Sequence, residues 1–146
     1  MRLRGDCSWK GLAATVAVQL GAGILGVWAA HAMFGLPILQ TSAKLRDGPG
    51  QWLGEFIATF GLLTTILLTV RHRPAAIPAS VALYIAAAYW FTSSTSFANP
   101  AITVARSLSD SFAGIAPTSV IPFIAAQLAG ALAAHWFDRH VLTTAA

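Results

Sequence analysis

The side chains able to do chemistry cluster in one stretch, SSTSFANPAITVAR, at residues 93–106. It holds serine hydroxyls at Ser93, Ser94 and Ser96, an amide at Asn99, a helix-disfavouring Pro100 and a positive charge at Arg106. No histidine stands at a spacing that would activate those serines, and no glycine-rich phosphate loop exists. The stretch is therefore not read as catalytic: no enzyme and no cofactor are expected. Its chemistry is that of a helix start. An asparagine side chain caps free backbone N–H groups, and proline in the first turn lacks only a donor that would be orphaned anyway. Asn99-Pro100 thus predicts a short helix over about 99–108, preceded by irregular backbone. A helix beginning inside a membrane turns its positive dipole end, about half an elementary charge, toward whatever lies before it. An amide that can donate to a passing oxygen, beside a field that repels cations, suits passage of a small neutral solute.

The other ionisable groups are sparse. Glu55 is alone in its apolar run. An intramembrane carboxylate is either a proton relay or an acceptor that holds backbone N–H groups in place, and the second reading is preferred. His31 and His135 sit among small residues near segment ends and read as packing groups. The four histidines have no cysteine or carboxylate pair nearby, so no metal is expected. Cys7 is the single cysteine, which excludes an intrachain disulfide framework.

Composition says what positions these groups. The 146 residues are 56% hydrophobic and 10% charged, with mean hydropathy +0.67. A soluble domain carries about 25% charged residues, so the natural solvent is lipid. Four apolar segments follow, at about 11–36, 52–71, 75–92 and 118–137, each near the ~20 residues a membrane-crossing helix needs. The expectation is an all-α membrane protein with four transmembrane helices and one re-entrant half-helix, in a single domain over 1–146. Residues 37–51, PILQTSAKLRDGPGQ, read as an exposed loop, and RHRP at 71–74 as a tight turn.

The net charge of +4 does not indicate nucleic acid, because the basic residues sit at the ends of apolar runs and form no stripe. With the N-terminus cytoplasmic, Arg2, Arg4, Lys10, Arg71, Arg73 and Arg139 fall inside, and Lys44 and Arg46 outside. That bias predicts a multi-pass inner or plasma membrane protein with both termini in the cytoplasm. AVQLGAGILGVWAAH from Ala17 and AAQLAGALAAHWF from Ala125 share a Gln-Leu-small-small pattern. This is either a duplicated unit or two helices that both need small residues for close packing. Gln19 and Gln127 are expected to pair between helices, and the five tryptophans, mostly near segment ends, to form an interfacial belt.

FANPAITVAR resembles the second Asn-Pro-Ala loop of the major intrinsic proteins, the aquaporins and aquaglyceroporins. WLGEFIATFGLL, with Glu55 and Thr59, is similar to the family's fourth helix, and VAVQLGAG and IAAQLAGALAA to its third and sixth. The resemblance runs from about Leu12 to Phe137. It implies a pore motif at Asn99, Pro100 and Ala101, with Glu55, Thr59 and Arg106 supporting it. It implies a constriction lined by Ala87, Ser96 and Ile102. The family usually has arginine where Ile102 stands; Arg106 lies one turn further on. Small or apolar residues at all three places imply a wide filter that passes glycerol-type polyols as well as water. TSSTSFANPA followed by an apolar residue is similar to bacterial aquaglyceroporins associated with arsenic resistance, which implies neutral arsenous acid as a solute. The resemblance also implies a homo-oligomer, a tetramer in intact relatives.

Only the third to sixth helices and one Asn-Pro-Ala motif of the family pattern are present. The expected function is a passive channel for small neutral solutes, in a truncated form lacking the first two helices and first motif. Two rivals stay open. One is a non-conducting membrane fragment; the other is an ion-coupled transporter subunit that uses Glu55.

Overall fold

The computed structural model describes residues 8–142, and Arg2, Arg4 and Cys7 lie outside them. In chain order the helices are α1 (Trp9–Met33), α2 (Pro49–His72), α3 (Ile77–Phe91), α4 (Pro100–Arg106) and α5 (Pro117–Phe137). A 3-10 turn at Pro74–Ala76 joins α2 to α3, and a π turn at Asp138–Leu142 extends α5. Four of these segments are long and apolar enough to cross a membrane, and among the described residues all regular structure is helical.

Local chemistry sets the boundaries. The Ser8 hydroxyl accepts from the Gly11 N–H at 3.1 Å and starts α1. Gly35, at φ +65°, ends its last turn, earlier than the apolar run to residue 36 suggests. Gly48, at φ +98°, breaks the chain before Pro49 opens α2, three residues ahead of the apolar run. α4 stops at Arg106 because the next turns tighten: Ser107 and Leu108 donate three residues back, to Val104 and Ala105.

The chain forms two compact units. The first holds residues 8–45 and 101–120. Here α1 passes close to α4 at Gly23, where an added Cβ would stand 3.1 Å from the Ala105 Cβ. The stretch expected as a simple exposed loop is partly buried and strapped down. Ser42 donates its N–H to Ser107 O at 2.9 Å, and Ala116 N–H donates to Lys44 O at 2.7 Å. The Asp110 carboxylate accepts from Ala43 N–H, and the Lys44 ammonium donates to Phe112 O. These bonds satisfy backbone groups that a free loop would leave to water. His31 is buried between Ile38 O (2.9 Å from Nδ1) and Ser109 Oγ (3.0 Å from Nε2). A carbonyl only accepts, so Nδ1 carries a proton and donates to it.

The second unit holds residues 46–100 and 121–142. α2 and α3 form an antiparallel hairpin, and α2 and α5 run parallel. Gln127 and Asp138 of the α5 arm meet Glu55 and Arg71 of α2 in the same order. Phe60 packs edge-on to Phe137 at 5.8 Å. Gly130 is what lets the backbones approach: a Cβ there would lie 2.5 Å from Phe56 O and 3.2 Å from Phe60 N. Gly130→Ala should therefore force α5 off α2 and cost about 1–3 kcal/mol. Thermal unfolding in neutral detergent should show a fall of several degrees. Gly26→Ala on α1, where no atom lies within 4 Å, should show none.

Candidate functional site

The loop between α3 and α4 is an unusual piece of backbone. Thr95, Ser96 and Ala98 all have positive φ, at 62°, 48° and 49°. Each left-handed residue that is not glycine costs roughly 1–2 kcal/mol. Three within four positions persist only where the surroundings hold them.

Glu55 is the main holder. It is fully buried, and its carboxylate accepts from Phe97 N–H at 2.8 Å (Oε1) and Ala98 N–H at 2.9 Å (Oε2). The Gln127 side-chain amide donates to Oε2 at 2.6 Å. The first turns of α2 finish the seat. Gln51 Nε2 donates to Ser93 O at 2.8 Å, and Ser93 Oγ donates to Gly50 O at 2.7 Å. Gly54 leaves room for Ser94, whose N and Oγ would each lie 3.1 Å from a Cβ there. Residues 50, 51, 54 and 55 share one helix face, so the α2 N-terminal half is shaped to this loop. Phe97 packs edge-on against Phe123 of α5 at 5.4 Å.

A second holder has no counterpart in the sequence reading. Arg46 is 6% exposed. Its guanidinium donates to Ser94 O at 3.1 Å and Thr95 Oγ1 at 3.4 Å, and its Cζ stands 5.0 Å from the Phe97 ring centroid. It looked like an ordinary loop charge because its partners lie 48 positions away.

Ser96 is 6% exposed, and its hydroxyl is buried with no hydrogen-bond partner, as is that of Thr59. Ala87 is exposed on α3, whereas the neighbouring Ala88 is fully buried. Asn99 and Pro100 are half-buried. On α4, Ala101 is buried and Ile102 is 38% exposed; Arg106, four positions on, is half-buried. The Arg106 carbonyl accepts from Ser109 and Ile115 N–H groups. Gln127 is buried against Glu55, whereas Gln19 is exposed on α1 and does not share that role. His135 is half-buried in the last turn of α5. No group of three metal-ligating residues occurs among the described residues.

Glu55→Gln should release the loop. An amide keeps one acceptor oxygen but turns donors toward a backbone N–H, and losing a buried charged acceptor costs about 3 kcal/mol. A lower unfolding temperature is expected, with new cleavage within residues 92–99 on limited proteolysis.

No protein-family model and no solved structure matches the chain. It is 48% identical over 143 residues to aquaglyceroporin AqpS of Rhizobium meliloti (strain 1021). The match covers 98% of this chain and 61% of that relative, so the chain spans about three-fifths of its length. A loop held by a buried carboxylate ahead of Asn-Pro-Ala, on four membrane-length helices, agrees with that similarity, which extends over nearly the whole of this chain.

Proposed function

We propose that the chain contributes to a passive membrane channel that passes small neutral solutes down their gradient: glycerol-type polyols, water and arsenous acid. The observation that carries this reading is the Glu55-held loop, whose strained backbone delivers the chain to Asn99 at the start of a seven-residue helix. Irregular backbone at membrane depth is stable only when protein or a wet passage surrounds it. The relative's name, aquaglyceroporin, supports the solute class.

In this reading Asn99 orients a solute hydroxyl by donating to it, and Pro100 and Ala101 complete the motif. Ala87, Ser96 and Ile102 set the width. Thr59 and Arg106 support the loop and the half-helix. The buried Ser96 hydroxyl means that backbone, not side chain, would meet the solute at that position. No bond is made or broken in the solute, so the activity is transport and not catalysis. The working form would be a homotetramer in the inner or plasma membrane, termini in the cytoplasm, with the pore walls completed by further protein.

The geometry around Glu55 speaks against ion coupling, since three donors already occupy its oxygens. Liposomes bearing the protein, tested for water, glycerol and arsenite entry, should show non-saturating flux. Saturable, pH-dependent uptake would favour a coupled transporter, and no flux above empty liposomes a non-conducting fragment. Ile102→Arg should reduce glycerol and arsenite flux more than water flux. Equal loss of all three would count against the wide filter.

A further inference from the structure

The shared end of α2 and the α5 arm carries cations that the solute path does not use. Arg71 pairs with Asp138 at 2.7 Å, and Asp138 is 1% exposed. This buried pair locks the end of α2 to the π turn after α5. Asp138 is the one acid in residues 64–78 and 130–142, and Arg71 neutralises it. Around the pair His72, Arg73, Arg139 and His140 are all exposed. Arg73 and Arg139 thus concentrate positive charge where two membrane-length helices stop together.

The surface next to those cations is apolar. Leu128, Leu132 and Trp136 recur every four residues on α5, which puts them on one face, and they are 53%, 58% and 60% exposed. Trp136 lies against the His140 ring, centroids 5.3 Å apart. The strip therefore runs from bare leucines, through an amphipathic indole, to histidine and arginine. That order matches a phospholipid from acyl chain to phosphate.

We infer that the Arg73–Arg139–His140 end of the second unit is a binding site for one anionic phospholipid, its phosphate held by the guanidinium groups and its acyl chain along Leu128, Leu132 and Trp136. A soluble anion would find the charges but not use the leucine strip; a zwitterionic lipid would find the strip, but its choline would face the arginines. The site depends on α2 and α5 spanning a membrane and not on any solute passing, so it can fail or hold independently of the channel reading.

The test is native mass spectrometry of the full chain in neutral detergent, titrated with phosphatidylglycerol and with phosphatidylcholine of the same acyl chains. One phosphatidylglycerol should be retained in preference to phosphatidylcholine. Arg73→Gln and Arg139→Gln should each weaken that retention about fivefold, the ~1 kcal/mol expected per basic residue at an anionic headgroup. Lys10→Gln, which removes the same charge from α1, should leave it unchanged. Equal retention of the two lipids overturns the site, as does an equal loss in Lys10→Gln. Inorganic phosphate that binds alone and displaces phosphatidylglycerol at similar concentration would reassign the cations to a soluble anion. Arg73 is an exposed cap residue outside the buried pair, so its variant decides the matter if Arg139→Gln disturbs the turn.

Discussion

The Glu55 carboxylate is the contact on which the rest of the candidate site depends. A buried carboxylate in a membrane segment is costly unless both oxygens have donors. Here two consecutive backbone amides and the Gln127 side chain supply them. The exchange serves both sides. The amides of Phe97 and Ala98 find a charged acceptor where lipid offers none, and the acceptor bonds are strong enough to offset left-handed backbone at Thr95, Ser96 and Ala98. Because the donors come from the loop and from α5, a single carboxylate couples α2, α5 and the approach to Asn99.

Close packing makes this exchange specific. Gly54 and Gly130 both lie where α2 meets something that a methyl group would push away: the loop in one case, the α5 backbone in the other. Small residues at such contacts are how membrane helices gain van der Waals attraction without a hydrophobic driving force. Arg46 adds a second clamp on the loop, with hydrogen bonds to Ser94 and Thr95 and its charge over the Phe97 ring. The loop is thus gripped by an anion at its amides and a cation at its carbonyl.

Some of this could be read from residue types and some could not. The four apolar runs, the helix start at Asn99-Pro100 and the isolated Glu55 are local signals, because each depends on residues within one or two turns. Arg46 was illegible for the opposite reason. In PILQTSAKLRDGPGQ it looks like any loop cation, and only the fold brings Ser94 to it. The same holds for His31, whose partners are a carbonyl seven positions on and a serine seventy-eight away. Gln19 and Gln127 show the limit of pattern matching. They occupy equivalent places in the two similar segments, yet one is exposed and the other buried on a carboxylate. Helix ends differed from the apolar runs by a few residues, because caps such as Ser8 and breaks such as Gly35 and Gly48 decide them and hydropathy does not.

The separation between Glu55 and its donors also bears on how the protein is made. Phe97 and Ala98 follow it by 42 and 43 residues, and Gln127 by 72. In chain order α2 precedes all three of those donors. Its acidic side chain therefore gains its full set of donors only once α5 has been made. Seating of the loop ahead of Asn99 is thereby tied to the arrival of α5, and a chain that stopped short of Gln127 would leave that acid without one of its donors.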